Sequence, residues 1–449
     1  MLTPADAEYD VARRVWNASV DARPGAVVRP ADTADIVAVV KHARRHALPL
    51  AIRGGGHSVA GHGTCDGGLA LDLSGLKAVQ VDPTKRIARV EPGVVWGELD
   101  AATCAHGLAL TGGQISSTGV AGLTLGGGLG WLMRERGLTI DSLLSVDVVT
   151  AAGDSLTASE TQHEDLFWAL RGGGGNFGVV TAFEYRLVPL GEIIGGTIAH
   201  PVQRARELLE FFRGYVTDLP ESLTPMAYFF TAPDLPTLPQ PLRGRALASM
   251  AVCVTADEPA LAPLRAFGTP LVDAIRPMPY TLLQTLFDAG SLPGFQNYWK
   301  SHYLQPLSEA AADTMAAFVE RMTSPLSIVL LTPMGGAVER VSSEATAFGE
   351  RDAPLVLEIL AKWDVPGAGG EHIAWADAFW EAMRPFSTGG VYVNFLGDEP
   401  AARVRDAYST SAWLRLASVK QRYDPENLFC INHNIPPGKA PLPLGEGLG

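Results

Sequence analysis

The heptapeptide Arg53-Gly54-Gly55-Gly56-His57-Ser58-Val59 follows directly on the apolar run Leu48–Ile52. A strand that ends in consecutive glycines and a histidine constrains the fold more than any other stretch of this chain. It leaves a bare main chain beside one imidazole. Glycine adopts backbone angles that other residues avoid, and it lets a ligand approach the backbone closely. Successive N–H groups in such a turn form an anion-binding concavity. A neutral imidazole, with a free pKa of about 6.5, serves as nucleophile, base or ligand. The heptapeptide alone admits two readings: a tight turn with a surface histidine, or a ligand cradle with a reactive ring beside it.

A chain of 449 residues is long enough for two or three domains with cores of their own. Its net charge is −13 and it has no basic run, which argues against nucleic acid or anionic membrane as a partner. A monomer or small homo-oligomer is expected. The segment Met1–Pro24 has scattered charges and no apolar h-region, so no signal peptide is expected. No apolar run approaches the roughly 20 residues that span a bilayer. Cys65, Cys104, Cys253 and Cys430 have neither zinc nor redox spacing. They read as reduced core thiols of a cytoplasmic protein, in which the sequon Asn17-Ala18-Ser19 is a chance match.

Residues 1–190 alternate short strands and helices. Strands are expected at Ala26–Arg29, Leu48–Ile52, Leu144–Ala151 and Phe177–Leu187, and a hairpin from Ala78–Val81 and Ile87–Val90. Helices are expected after an N-cap at Thr33, over Val95–His106 with Gly107 closing it, and over Glu164–Leu170. From about 191 to 393 the helices lengthen (Gln203–Thr217, Ser308–Arg321, His372–Met383). Between them lie apolar strands, Thr224–Phe230, Ala246–Thr255, Leu326–Thr332 and Leu355–Leu360. This pattern predicts an α+β chain whose second part is an antiparallel sheet covered by helices. Pro233–Pro241 reads as a surface loop. From Asn394 to the end, 394–449, the glycine and proline texture returns, and Pro441–Gly449 is expected to fray.

Glycine clusters also occur at Ser116-Ser117-Thr118-Gly119, running on through Gly122 to Gly126-Gly127-Gly128-Leu129-Gly130, and at Gly172–Gly178. Each glycine costs roughly 0.5–1 kcal/mol relative to alanine in regular structure, so clusters on this scale point to a large flat or charged ligand. Gly173–Gly178 fits G-x-G-x-x-G in spacing. It follows a helix and opens a strand, however, the reverse of the dinucleotide fingerprint. No P-loop and no nucleophile elbow is present, and no histidine or carboxylate cluster has metal spacing.

Together these segments resemble the FAD-linked oxidoreductases of the vanillyl-alcohol oxidase superfamily, in particular the berberine-bridge-enzyme-like group. The resemblance is carried by Val28–Ala31, Ala51–Ser58, Gly119–Gly130, Gly137-Leu138 with Asp141, and Gly175–Thr181. Toward the C-terminus it is carried by Tyr392-Val393-Asn394, Val419-Lys420, Tyr423–Phe429 and Asn432–Pro436. It implies a two-lobed FAD-binding domain (1–190), a substrate domain (191–393) and a C-terminal segment (394–449) that returns to the first.

It further implies that His57 bonds covalently to the flavin's 8α carbon, a neutral imidazole adding to the quinone-methide tautomer. Many relatives carry a second link through a cysteine. The matching position here is Ile115, so one covalent bond is expected. The other residues implied to meet FAD are Arg53, Gly54, Gly55, Gly56 and Ser58; Ser116, Ser117, Thr118, Gly119 and Gly122; Gly126, Gly127, Gly128 and Gly130; Asp141; Asn176, Gly178 and Val180; and Asn394, Asn432 and Asn434. For Arg53, a structural ion pair is an equal alternative to a pyrophosphate contact. Thr118 stands where the family gates oxygen, and its valine-like shape favours an oxidase. The resemblance places Lys300, in Asn297-Tyr298-Trp299-Lys300-Ser301, over the flavin as a partly desolvated base or substrate-orienting group; the residues alone read as a solvated lysine beside core aromatics. Tyr392 and Asn394 read as alternating on one strand and facing the flavin. Phe395 replaces a tyrosine that plant-type relatives use in deprotonation, so that role does not carry over.

The implied activity is hydride transfer from a carbon bearing O or N to flavin N5, then electrons to oxygen, giving hydrogen peroxide. The alternatives are a dehydrogenase with another acceptor, or a catalytically silent flavin- or ligand-binding protein.

Overall fold

The computed structural model describes residues 1–234, 240, 242–256 and 258–438. Most of the expected loop Pro233–Pro241, and the tail Pro441–Gly449, lie outside the described residues. The chain folds as α+β around three main sheets. A parallel sheet of three strands has the order Ala26–Val28, Leu69–Asp72, Leu50–Arg53. Beside it an antiparallel sheet of five has the order Val79–Asp82, Ile87–Val90, Val179–Arg186, Leu143–Val149, Ser155–Ser159. Helix Thr33–Arg45 packs Ile36, Val40 and Ala43 between them, against Leu50, Leu71, Val149 and Val179. Asp32, not Thr33, caps it: the Asp32 carboxylate accepts from the Asp35 N–H at 3.0 Å. Asp32 and Thr33 are both good caps, and only the extended backbone of Asp32 decides between them.

The third sheet is antiparallel and has eight strands. Its path runs Val272–Asp273, Ile193–Pro201, Ala246–Val254, Leu223–Thr231, Ile328–Pro333, Leu355–Trp363, Gln296–Leu304, and Arg276–Met278 adds to Ile193–Pro201. Helices Ala205–Tyr215, Glu309–Val319 and Gly370–Met383 cover one face. Successive strand residues point to opposite faces. Leu355, Leu357, Ile359, Ala361 and Trp363 therefore meet the helices, and Val356, Glu358, Leu360 and Lys362 meet the opposite side. Phe212 and Phe379, fully buried on the helix side, each stabilise the layer by about 2–3 kcal/mol. The other expected elements lie within a few residues of their positions, while the strands Leu69–Asp72 and Ile193–Pro201 and the helix Thr410–Tyr423 had no counterpart among the expectations.

Two local expectations fail. The strand Gln296–Leu304 was not foreseen, because Asn297-Tyr298-Trp299-Lys300-Ser301 carries no clean apolar alternation. Tyr392 and Asn394 do not alternate on a strand: Val393–Phe395 is a 3-10 turn with Tyr392 at its N-cap. The four cysteines are free. Asn17 is 2% exposed and bonded to two backbone carbonyls, so the sequon is closed to a glycan. Among the described residues no helix is long and apolar enough to cross a membrane.

The C-terminal segment is fastened by one buried ion pair. Lys420 Nζ donates to Asp424 Oδ2 at 2.7 Å, to the Asn176 carbonyl at 2.7 Å and to the Phe429 carbonyl at 2.8 Å; both side chains are fully buried. Asp424 in turn accepts from the Leu428 and Phe429 N–H groups. Lys420→Met strands a buried carboxylate, and breaking such a pair costs about 3–5 kcal/mol. We expect a loss of that size in urea unfolding at pH 7.

Candidate active site

The parallel sheet delivers Arg53 at its edge, and the chain then turns through Gly54, Gly55 and Gly56, the last with φ +69°. No side chain fits there. A Cβ on Gly55 would stand 2.6 Å from the Gly119 nitrogen and Cα, and one on Gly119 would stand 2.5 Å from the Gly55 nitrogen. Gly119 caps helix Val120–Gly126. The loop before it is stitched to the helix Trp96–Cys104: the Trp96 N–H donates to the Thr118 carbonyl at 3.0 Å and the Gly97 N–H to the Ser116 carbonyl at 2.8 Å. Between these main-chain walls lies the principal cavity. Gly54–Ser58, Ile115, Thr118, Gly119, Gly122, Gly173–Asn176, Gly178, Val180, Asn432 and His433 line one side. Trp299, Ile328, Leu330, Thr332, Val356, Glu358, Leu360 and Lys362 line the other, with Tyr392, Asn394 and Phe395 between.

His57 opens into this cavity. Its Nε2 is buried without a hydrogen-bond partner. Burial holds the ring's pKa down at about 4, and Lys362 adds to the effect. The ring is therefore neutral at pH 7. A neutral imidazole beside a wall of bare backbone fits a large flat cofactor such as FAD. Ile115 lines the wall, and no cysteine does.

Several expected contacts are placed otherwise. Ser116 and Ser117 turn away from the cavity; the Ser116 N–H donates to Asp288 Oδ1 at 2.9 Å and its hydroxyl to Oδ2. Gly126, Gly127, Gly128 and Gly130 do not line it either. They permit close packing: a Cβ on Gly126 would meet Asn394 Oδ1 at 2.2 Å, and one on Gly130 would meet the Gly112 carbonyl oxygen at 1.8 Å. Asp141 accepts from both terminal nitrogens of Arg351, at 2.8 and 3.0 Å, and is a structural ion-pair partner. Arg53 lines the cavity, yet its guanidinium is held by Asp72 at 2.7 Å and by the Ala12 and Arg14 carbonyls. The ion pair is thus its observed role. Asn176 lines the wall while its side chain holds the C-terminal segment, accepting from the Ile435 N–H at 2.9 Å. Asn434 lies outside the lining, and its Oδ1 is buried without a partner.

Lys300 is corrected by strand parity. Trp299 pairs with Leu360, and Lys300 with Ile359, so Trp299 faces the cavity and Lys300 faces the helices. Lys300 Nζ lies 2.8 Å from Glu399 and over the Tyr298 and Trp380 rings. Burial alone would lower its pKa, but Glu399 and Tyr298 more than offset this and raise it. It is a paired cation, not a base over the flavin.

The titratable groups that do face the cavity come from the next strand. Glu358 is 8% exposed, has no hydrogen bond or ion pair among the described residues, and is pushed up to about 8 by burial. Lys362 is 2% exposed and is pulled down to about 8 for the same reason. Its Nζ donates to the Gly290 carbonyl. The signal for both was present in the sequence, as polar residues at even positions within Leu355–Trp363. Tyr392 and Asn394 meet through the turn: the Tyr392 hydroxyl accepts from Asn394 Nδ2 at 2.8 Å and from the Gly128 N–H at 2.9 Å. His62 and His433 also line the cavity and stack edge to face at 4.7 Å.

Residues 24–159 match the family described as FAD binding domain, and residues 391–436 the family described as berberine and berberine like. The chain is 32% identical to an FAD-linked oxidoreductase of Bacillus subtilis, covering 98% of each chain. It is 30% identical to (R)-6-hydroxynicotine oxidase of Paenarthrobacter nicotinovorans, covering 97% of this chain and 96% of the other. Its structure superposes on crystalline 6-hydroxy-D-nicotine oxidase from Arthrobacter nicotinovorans with a TM-score of 0.86 at 26% identity, covering 97% of each chain. The fold is shared, with a TM-score of 0.84 at 23% identity, by xylooligosaccharide oxidase from Myceliophthora thermophila, over 98% of this chain and 97% of that one. The glycine cradle, the cavity and these likenesses agree: the chain belongs to the berberine-bridge-enzyme-like FAD-linked oxidoreductases of the vanillyl-alcohol oxidase superfamily.

Proposed function

We propose that this protein is an oxidase holding FAD by a single covalent bond to His57. It takes hydride from a carbon bearing oxygen or nitrogen and passes the electrons to dioxygen as hydrogen peroxide. One observation carries this reading: His57, with a neutral ring, and Glu358, whose carboxyl has no hydrogen bond or ion pair among the described residues, line the same cavity. When bound, FAD supplies the hydride acceptor. The chain supplies position and a place for the substrate proton.

Glu358 is the group free to take that proton. Its only competitor on the same wall, Lys362, is already donating to Gly290. Lys362 stands ready to hold an anionic or carbonyl group of the substrate. Tyr392 and Asn394, tied to each other and to the glycine loop, set the shape of the wall between cofactor and substrate. Thr118 lines the cofactor side, and its valine-sized side chain leaves oxygen a path. That a relative at 30% identity is named an oxidase supports this acceptor. The proposed division of labour is cofactor binding by 1–190 with 394–449, and substrate binding by 191–393.

The first expected outcome concerns attachment. Wild-type protein retains its flavin through acid precipitation, and His57→Ala binds FAD but releases it in acid. A peptide map should place flavin on His57 and on no cysteine. Flavin that survives acid in His57→Ala refutes the assignment. Air reoxidation of substrate-reduced protein should be fast and yield peroxide; reduced flavin that persists for minutes identifies a dehydrogenase instead.

The second concerns pH. A general base contributes about 10²–10⁴-fold, so Glu358→Gln should lower kcat by that range. The wild-type rate should rise with pH through about 8, and Glu358→Gln should lose that rise. Stability moves the other way. The folded-state pKa lies above the unfolded one, so between about 4.3 and 8 the folded chain binds the extra proton and becomes less stable as pH rises. Thermal melts of flavin-free protein should therefore show a steeper fall from pH 5 to pH 8 in wild type than in Glu358→Gln.

A further inference from the structure

Trp16 lies behind His57. It is 6% exposed and stacks on the imidazole, with centroids 4.2 Å apart and planes 20° from parallel. Three further contacts hold it. Its backbone N–H donates to the Gly56 carbonyl at 3.0 Å. Its indole Nε1–H donates to the Ser291 carbonyl at 2.7 Å. Its edge meets Trp299 at 5.6 Å. Asn17 repeats the bridge, donating to the carbonyls of Val59 at 2.7 Å and Asn297 at 3.0 Å and accepting from the Asn297 N–H at 3.0 Å. Trp16 thus spans the glycine loop and the substrate-side sheet, yet it is not a wall of the cavity.

We propose that Trp16 is a positioning residue for covalent flavin attachment, holding the plane of the His57 ring so that a ring nitrogen points into the cradle. The inference rests on the reading that His57 is the attachment site. A stack on one face restrains the tilt of the ring and leaves its edge uncovered by the indole. The new bond lies in the ring plane, along a nitrogen lone pair, so the plane sets the reaction geometry. Histidine orientation is ordinarily set by the hydrogen bond that one ring nitrogen makes. Here Nε2 makes none, the ring's hydrogen bond reaches only the residue's own backbone, and the indole face supplies the remaining restraint.

In the attachment one bond forms between a ring nitrogen and the flavin's 8α carbon. One C–H of that methyl group and the imidazole N–H break. Their two protons and two electrons pass to dioxygen, which leaves as hydrogen peroxide.

The test uses the full-length chain made flavin-free in a riboflavin-starved host. FAD is added in air, and acid-stable flavin fluorescence is followed with time on denaturing gels. Trp16→Leu keeps the apolar fill and loses the ring; we expect attachment to slow about 10- to 100-fold. Trp16→Phe keeps a stacking face and should recover most of the rate. In a His57→Ala background, Trp16→Leu should leave noncovalent FAD affinity unchanged. Attachment by Trp16→Leu at the wild-type rate overturns the proposal. So does an equal loss in both variants, or a matching loss of noncovalent affinity, since either marks a merely structural residue. Wild-type protein that never acquires acid-stable flavin overturns the attachment reading itself, a result distinct from the others.

Discussion

The active site depends on one contact between main chains. Gly55 and Gly119 approach so closely that a methyl group on either would overlap backbone atoms of the other. The contact joins the end of the parallel sheet to the start of helix Val120–Gly126. A bridge between Val95 and Gly119 ties the same point to the five-stranded side of the domain. His57 lies two residues beyond Gly55 and Thr118 one residue before Gly119. The reactive ring and the proposed oxygen gate are therefore both positioned by a junction that contains no side chain. Such a junction gains nothing from hydrophobic burial. It persists because the cores on either side, around Leu50 and Leu71 and around Val120 and Trp96, are dry and close-packed.

The remaining glycines divide by what approaches them. Gly173 and Gly178 bare the cavity wall, as Gly54 and Gly55 do. Gly126–Gly130 instead admit Asn394, Phe348, Thr139 and the Gly112 carbonyl. Sequence shows both groups as the same pattern. The difference lies in tertiary neighbours, two of which, Asn394 and Phe348, lie more than 200 positions from the glycines they meet. The same limit explains Asp141, whose partner Arg351 is 210 positions away.

Much of the architecture was legible where a period was strong. The helix Glu164–Leu170 and four central strands of the helix-covered sheet followed from apolar spacing, because burial against a layer enforces it. The R-G-G-G-H turn was legible because its chemistry is local. Lys300 shows where such reading stops. Gln296–Leu304 is largely buried and carries polar groups on both faces, so its strand character was hidden. With the strand went the parity that assigns Trp299 to the cavity and Lys300 to the helices. In Leu355–Trp363 the hidden information was of another kind. Glu358 and Lys362 sit among apolar residues on a strand that reads as core, and only the cavity on its far face makes those two positions chemical. Tyr392 and Asn394 were brought together as expected, though by a tight turn and not by strand alternation.

Two sheets that share a cavity need their separation fixed, and the segment Tyr280–Ser291 does this. Gln284 Nε2 donates to Asp100 Oδ2 at 2.7 Å and to the Gly113 carbonyl at 3.0 Å. Asp288 receives both Ser116 donors. Phe287 and Ser291 reach the cavity from the same stretch, and the Gly290 carbonyl takes the proton-bearing Nζ of Lys362. Burial pushes Asp100 up to about 7, and the hydrogen bond from Gln284 works against that rise by favouring the charged form. A displacement of this strap would move the cofactor-side loop 113–118 and the Lys362 ammonium together. The separation of the glycine loops from the Lys362 strand is thus held in part by one short covalent segment, hydrogen-bonded at both ends, beside the Trp16–Asn17 bridge and the apolar contact of Trp131 and Leu132 with the eight-stranded sheet.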